Sequence, residues 1–142
     1  MKTDRPTTKI IAGKYKGKVL ELPSLDVTRS SKSVLKESLF NVLQFDIINK
    51  VFIESFAGSG SIGLEAISRG AKRAYFIELD RNSYQILIRN CKAVDIDKCQ
   101  TVQGNTFVQT PLILEFLKNS KEEIVLYVDP PFDYREGMED IY

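Results

Sequence analysis

The sequence predicts an α/β fold, a doubly wound parallel sheet, and three features of its order along the chain support this. From Val51 onward, short apolar runs alternate with amphipathic stretches of helical spacing, which is the pattern of parallel strands joined by right-handed crossovers. A glycine-rich turn at residues 58–63 follows the first apolar run. The last run, residues 124–128, is continuously apolar, as in a strand buried on both faces.

The first predicted element is a β-hairpin within residues 9–22, where two apolar stretches flank a glycine-containing turn. Lys14, Lys16 and Lys18 surround Tyr15 in this turn. Phosphates attract such lysines and an unpaired base can stack on the ring, although a merely solvated turn explains the lysines equally well. Residues 1–50 carry 10 Lys/Arg against 5 Asp/Glu, and residues 51–142 carry 10 against 14. This asymmetry favours a nucleic-acid contact in the first third of the chain.

A helix is predicted next, over residues 33–43, with Ser33 as its N-cap. Its apolar face at helical spacing consists of Leu35, Leu39, Val42 and Leu43, with Phe40 at the margin. Lys36 and Glu37 are expected to face away from this stripe. Arg29, in the loop before the helix, is therefore the better candidate for a contact.

The sheet is predicted to contain four strands. They are expected at residues 51–56, 74–78, 100–103 and 124–128. The connecting helices are expected from the glycine turn to Gly70, over residues 81–93, and over residues 112–118 with Pro111 in the first turn. We accordingly divide the chain into a basic hairpin-and-helix extension, residues 1–50, and a sheet domain, residues 51–142.

Composition excludes several classes of chemistry. The 142 residues include no histidine, which removes Ser-His and Cys-His catalysis and every His-based metal site. Cys91 and Cys99 lack the spacing of a zinc site and are too few for a disulfide scaffold. No apolar run approaches membrane-spanning length and no signal-peptide region is evident, so we expect a cytoplasmic protein.

The glycine turn predicts an adenosine-bearing cofactor. Residues 58–63 match G-x-G-x-x-G after a strand and before a helix, which allows the backbone to approach a ligand closely. Glu78, 18 residues past Gly60, is placed to accept hydrogen bonds from both hydroxyls of a ribose. The motif leaves a nicotinamide cofactor and S-adenosylmethionine open. Glu54 favours the second, because it would repel a pyrophosphate but suit the ammonium of a methionine moiety.

The end of the fourth strand predicts the acceptor. The Asp129 carboxylate and the Pro130 carbonyl can both accept N–H bonds from an exocyclic amine, and Phe132 can stack on its base. Asn105, after the third strand, puts an amide where an adenine edge could be read. These features favour methyl transfer to an amino group of a base.

This combination resembles the bacterial 16S ribosomal RNA guanine-N2 methyltransferases of the RsmD type. The shared residues are 10–18 (IIAGKYKGK), Thr28-Arg29, Glu37, 39–41 (LFN), 56–60 (FAGSG), 63–66 (GLEA), 68–71 (SRGA) and 129–132 (DPPF). The resemblance implies a Rossmann-like class I methyltransferase domain with an N-terminal extension. It also implies S-adenosylmethionine as cofactor and the assembling 30S subunit as partner. We expect a monomer that binds no metal and does not associate with a membrane.

The predicted site has three parts. The cofactor is expected against Glu54, Phe56, Gly58, Gly60, Glu78, Asn105 and Asp129. The reacting base is expected against Asp129, Pro130 and Phe132, and the RNA against Lys14, Tyr15, Lys16, Lys18 and Arg29.

The chain departs from the family pattern at several positions. It has Glu54 where the family usually has Asp, and Asn105 where the family often has Asp. It also departs at residues 28–31 (TRSS, where the family has TRPT) and at 33–34 (SV, where the family has an acid and an arginine). The family carries further strands, so we expect an apolar edge at the fourth strand.

The predicted reaction is a direct in-line displacement, in which the methyl group moves from a sulfonium to N2 of a flipped guanine. Three alternatives stay open. An adenine-N6 DNA methyltransferase needs the same Asp-Pro-Pro-Phe turn. A dinucleotide-dependent dehydrogenase is supported by the glycine pattern but opposed by Glu54, and a non-catalytic RNA-binding or assembly module is compatible with the departures.

Overall fold

The structure, a computed structural model, describes residues 6–23 and 29–130, and for residues 29–33 it describes the backbone alone. Six strands and four helices follow one another in this part of the chain. They are β1 Thr7–Lys9, β2 Val19–Glu21, α1 Arg29–Leu43, β3 Val51–Glu54, α2 Ser61–Ser68, β4 Arg73–Glu78, α3 Arg81–Val94, β5 Cys99–Gln103, α4 Thr106–Leu117 and β6 Ile124–Tyr127.

Strands β3 to β6 form one parallel sheet in the order β5-β4-β3-β6, which confirms the predicted fold class. The chain adds β4 and β5 on one side of β3 and then returns to the other side for β6. Ligands of open α/β sheets bind beyond the carboxyl ends of the strands at such a reversal. The reversal between β3 and β6 therefore marks where a site is expected.

The central strand β3 is buried along its whole length because both faces of the sheet are covered. Its side chains alternate between two apolar clusters. Phe52 joins the larger cluster with α2 and α3, whereas Val51 and Ile53 join a smaller one with α4. The N-terminal elements belong to the larger cluster through Ile10 and Phe40. Among the described residues no helix combines the length and apolarity that crossing a bilayer requires.

A buried carboxylate on α2 joins three segments of the chain. The Glu65 side chain accepts hydrogen bonds from the backbone N–H groups of Ile11 at 2.9 Å and Ala12 at 3.1 Å. Arg69 donates its Nε–H to the same carboxylate at 2.8 Å, and the Lys36 ammonium lies 3.6 Å from it. The hairpin and α1 are thus attached to α2 by charge-assisted bonds as well as by apolar packing.

Helix α1 buries a different face from the one predicted. Lys36 is only 2% exposed and also donates to the Lys9 carbonyl at 3.2 Å, whereas Leu35 and Val42 are 50% and 79% exposed. The prediction that Lys36 faces outward was wrong, because the helix turns this cation toward the buried Glu65. Burial lowers the pKa of Lys36, and the neighbouring Glu65 partly offsets that shift.

The bounds of two helices also differ from the predictions. Helix α1 begins at Arg29, so Ser33 lies inside it and is not its N-cap. Helix α4 begins at Thr106, after an Asn105 N-cap, and Pro111 therefore lies inside the helix instead of in its first turn. The Asn105 side chain accepts the Phe107 N–H at 2.7 Å, which satisfies one of the N–H groups that a helix start leaves free.

The turn of the hairpin is attached to the carboxyl end of α2. The Ser68 carbonyl accepts the Lys14 N–H at 2.8 Å, and the Ser68 hydroxyl accepts the Tyr15 N–H at 2.9 Å and donates to the Ala12 carbonyl at 2.7 Å. Gly13 lies in this contact with a φ of +93°, and a Cβ there would meet the Ser68 carbonyl oxygen at 2.0 Å. Both the dihedral angle and the close approach therefore require glycine.

We expect Glu65→Ala to reduce the free energy of unfolding by about 3–5 kcal/mol, because it leaves the Lys36 ammonium buried without a counter-charge. Urea unfolding measures the loss. Glu115→Ala is the matched control, since it breaks an exposed ion pair with Lys118 and should leave stability nearly unchanged. A loss no larger than that of the control would contradict the role given to Glu65.

Candidate functional site

Acidic side chains meet at the carboxyl edge of the sheet. Glu54 ends β3, Glu78 ends β4, and Asp129 follows β6. Burial, with smaller contributions from the negative charges of Asp129 and Glu78, raises the pKa of Glu54 to about 8, although the Gly63 N–H and Lys36 oppose the shift. The structure therefore brings together three acids that the sequence placed on three different strands.

Glu54 is 3% exposed and is held in place by the backbone of α2. Its Oε1 accepts the Gly63 N–H at 2.9 Å. With a pKa of about 8, this side chain is mostly neutral at pH 7 when no cationic ligand is bound. A bound cation would favour the charged form, which is the behaviour expected of an acid that receives an ammonium.

The glycine turn approaches these acids through its backbone. Gly58 donates its N–H to Glu78 Oε1 at 2.7 Å, and Gly60 donates to the Ala57 carbonyl at 2.8 Å. Gly60 has a φ of +84°, and a Cβ there would meet the Leu87 Cδ1 atom at 2.5 Å. Glycine at position 60 therefore serves the fold of the turn and the packing of α3 against it.

Glu78 retains room for a ligand. One carboxylate oxygen accepts the Gly58 N–H, and the other accepts the Asp80 N–H at 2.9 Å. Since an ionised carboxylate offers about four acceptor positions, each oxygen can take one more hydrogen bond. This donor and acceptor arrangement fits the two hydroxyls of a ribose.

An apolar cavity of about 250 Å³ lies between the ends of β3 and β6 and the start of α4. Its lining residues are Ser55, Phe56, Thr106, Phe107, Thr110, Pro111 and Val128. The rings of Phe56 and Phe107 meet edge to face at 6.0 Å, and Phe107 is 77% exposed. Sequence reasoning missed Phe107, although an aromatic residue two positions after Asn105 at the carboxyl edge was a usable signal.

The Asn105 side-chain oxygen is engaged as the cap of α4, and the predicted contact between Asn105 and an adenine stays a prediction.

Asp129 has a neighbour that sequence reasoning also missed. The Tyr127 hydroxyl donates to Asp129 Oδ2 at 3.3 Å, and the Tyr127 ring stacks on Phe52 with centroids 6.2 Å apart. Burial, followed by the charge of Asp129, raises the pKa of Tyr127 to about 12. The spacing of two residues along a strand, which puts both side chains on one face, was the available signal. Pro130 is described, whereas Phe132 lies outside the described residues and its stacking role stays a prediction.

The predicted RNA contacts are placed in part. Lys14, Lys16 and Lys18 are exposed on the hairpin turn. Tyr15 is half-buried against the core and its hydroxyl donates to Asp95 at 3.0 Å, so much of its ring serves the fold. Arg29 is the first residue of α1 instead of part of a loop, and its side chain is not described.

Comparison with known proteins relates this chain to a family. Residues 8–142 match the family described as conserved hypothetical protein 95. The chain is 36% identical over 129 residues to a ribosomal RNA small subunit methyltransferase D of Haemophilus influenzae, a match that covers 89% of this chain and 64% of that protein. It is also 36% identical over 132 residues to the protein of the same name from Escherichia coli, covering 92% and 62%. The chain thus spans a little under two thirds of the length of these curated relatives.

The fold comparison agrees. The structure of a putative methyltransferase, yhhF, from Escherichia coli superimposes with a TM-score of 0.71 at 34% sequence identity. The superposition covers 95% of this chain and 70% of that one. The two chains therefore share an overall fold.

The pKa of Glu54 predicts how stability depends on pH. Between pH 4.5, its ordinary pKa, and about 8, residue 54 is ionised in the unfolded chain but protonated in the fold. Its contribution to stability is therefore complete below pH 4.5 and is lost as the pH rises to about 8, by up to about 1.4 kcal/mol per pH unit. Glu54→Gln should remove this loss while keeping an acceptor for Gly63.

The measurement is urea unfolding of both proteins at intervals from pH 4.5 to 8.5. The wild-type free energy of unfolding should fall with pH relative to that of Glu54→Gln. The exposed Glu37→Gln serves as a control and should follow the wild type. A difference between wild type and Glu54→Gln that stays constant over this range would show that Glu54 is not held neutral.

Proposed function

The chain belongs to the family described as conserved hypothetical protein 95, and from this premise we propose that it transfers a methyl group from S-adenosylmethionine to ribosomal RNA. The proposed acceptor is the exocyclic N2 amine of a guanine in 16S RNA, on the assembling 30S subunit, with the protein acting as a monomer. The curated relatives named as ribosomal RNA small subunit methyltransferase D support the class of substrate.

The observation that carries the proposal is the convergence of Glu54, Glu78 and Asp129 around the glycine turn. The charges of Glu78 and Asp129 make this edge negative, so it suits a ligand with a sulfonium and an ammonium and disfavours the pyrophosphate of a dinucleotide. Glu78 would hold the ribose through its remaining acceptor positions, and Glu54 would receive the ammonium. The exposed side chains of Leu79 and Phe107, each at this edge, offer apolar contact for the adenine.

Bound S-adenosylmethionine supplies an electrophilic methyl group. The chain's own residues then orient the acceptor: one Asp129 oxygen and the Pro130 carbonyl accept the two N–H bonds of the guanine amine, which directs its lone pair. The Tyr127 hydroxyl holds the other Asp129 oxygen, so the carboxylate has a fixed direction. The acids at this edge stabilise the positive charge that develops on the amine, and the proton leaves after transfer.

Residues 51–142 would bind the cofactor, and residues 1–50 would contact the RNA through the hairpin and Arg29. Calorimetry distinguishes the cofactors directly. We expect binding of S-adenosylmethionine and no binding of NAD. The reverse result would remove the proposed function and favour a dehydrogenase.

Asp129→Ala should reduce methyl transfer by about 10²-fold or more, because the amine loses its acceptor in the transition state. Cofactor affinity should be largely retained, since Glu54, Glu78 and the glycine turn carry it. The assay is tritium transfer from labelled cofactor to 30S particles that lack the modification. Asp97→Ala, at an exposed acid next to the opposite end of β5, is the control and should keep full activity.

Two outcomes of that assay would contradict parts of the proposal. Normal activity of Asp129→Ala would remove the carboxylate from the mechanism. Methylation of duplex DNA but not of 30S particles would replace the guanine-N2 assignment by adenine-N6.

The exposed hairpin lysines are expected to bind the RNA backbone. Replacing Lys14, Lys16 and Lys18 together with alanine should weaken RNA binding and reduce its salt dependence by roughly three phosphate contacts. Cofactor affinity should stay unchanged. Filter binding over a series of salt concentrations measures both the affinity and the slope.

The matched control removes three exposed lysines elsewhere. These are Lys92, Lys118 and Lys121. The control should keep the wild-type slope. If the hairpin variant also keeps the wild-type salt dependence, the hairpin lysines make no contact with RNA phosphates and are simply exposed to solvent.

A further inference from the structure

Asn90 of α3 connects two regions that the proposed function uses separately, the hairpin and the glycine turn. Its side chain is almost fully buried, at 2% exposure. The amide oxygen accepts the Glu21 N–H at 3.0 Å, and the amide nitrogen donates to the Glu21 carbonyl at 3.0 Å and to the Ser59 carbonyl at 2.8 Å. Three of the four hydrogen bonds available to an asparagine side chain are therefore used.

The bonds to Glu21 resemble those of a neighbouring strand, because one amide group exchanges both a donor and an acceptor with one residue of β2. The third bond leaves the hairpin and ends on the glycine turn. In a buried setting, none of these polar groups can lose its partner without an appreciable cost. The separation between β2 and Ser59 is therefore set by the dimensions of one amide group.

Ser59 lies between two residues of the turn that the cofactor would contact, Gly58 and Gly60. Asn90 holds the Ser59 carbonyl, while Glu78 holds the adjacent Gly58 N–H. A ligand that binds to Glu78 and to the turn therefore also acts on the Asn90 amide, through the Ser59 carbonyl that this amide holds. Through Glu21, that amide is bonded to β2, which pairs with β1 and leads directly from the lysine-bearing turn.

We propose that Asn90 is a positioning residue that couples cofactor binding at the glycine turn to the position of the hairpin. S-adenosylmethionine and ribosomal RNA then bind with positive cooperativity. This inference rests on the proposed function and adds to it a thermodynamic link between the two ligands. The link must be reciprocal, so each ligand increases the affinity for the other by the same factor.

The first test needs only the wild-type protein. Calorimetry with S-adenosylhomocysteine, which does not turn over, gives its affinity in the absence and in the presence of saturating 30S particles that lack the modification. We expect the RNA to tighten binding by at least about fivefold. Equal affinities would overturn this inference alone, whereas failure to bind S-adenosylhomocysteine at all would overturn the proposed function with it.

The second test assigns the coupling to Asn90. Asn90→Asp keeps an acceptor for the Glu21 N–H but loses both donated bonds. In this variant RNA should no longer change the affinity for S-adenosylhomocysteine. Arg89→Ala is the matched control: its guanidinium bonds the Glu21 carboxylate at 3.1 Å through two nitrogens but does not reach the turn. The control should keep the wild-type coupling, and retained coupling in Asn90→Asp would overturn the assignment.

A third measurement does not depend on any variant folding. Hydrogen exchange of the Glu21 amide, which donates to Asn90, should slow when S-adenosylhomocysteine binds to the wild-type protein. Ligand binding also stabilises the whole fold, so the reference is the Val51 amide, which donates to the Glu123 carbonyl in the central sheet. A merely structural asparagine would slow the Glu21 amide no more than this reference, and that result would overturn the inference even if Asn90→Asp does not fold.

Discussion

A carboxylate in an apolar core must be surrounded by donors, and the arrangement of the first half of the chain follows from meeting that need at Glu65. The donors come from the hairpin backbone, from Lys36 of α1 and from Arg69, the residue directly after α2. Satisfying one buried charge therefore fixes the rotation of α1 and the position of the hairpin. Apolar packing alone would have placed Leu35 and Val42 inside and Lys36 outside.

Helix α2, which carries Glu65, begins at the glycine turn. The elements held by Glu65 and the residues of the candidate site are therefore connected through this one helix. At its amino end α2 donates the Gly63 N–H to Glu54, and at its carboxyl end it holds the hairpin through Ser68. A negative edge and a lysine-bearing turn are thereby kept at opposite ends of one short helix. The position of the lysine-bearing turn relative to the acidic edge is thus fixed by α2 and by the hydrogen bonds of the Asn90 amide.

The strands and the glycine turn could be predicted from the sequence because their signals are local: apolar runs, glycine punctuation and the spacing from Gly60 to Glu78. The exposed face of α1 could not, since the partner of Lys36 lies far along the chain and Leu35 and Val42 imitate a core stripe. The start of α4 was misplaced because Pro111 is a stronger local signal than an asparagine cap. Asn90 and Tyr127 escaped notice because an amide or a hydroxyl in a helix or strand gives no sign of its distant partner. The positions of Glu54, Glu78 and Asp129 at one edge followed from topology, while the neutral state of Glu54 depends on burial that only the fold reveals.

The contact between the hairpin turn and α2 has a consequence for the order in which the chain becomes structured. Ile11, Ala12 and Tyr15 find their partners on Glu65 and Ser68, between 53 and 56 residues further along. A two-stranded hairpin is marginal in water by itself. As the chain is synthesised from its amino end, the hairpin must therefore wait for α2 to be made and to pack on the sheet. The lysine-bearing turn therefore becomes ordered only after α2, which lies later in the chain, has folded.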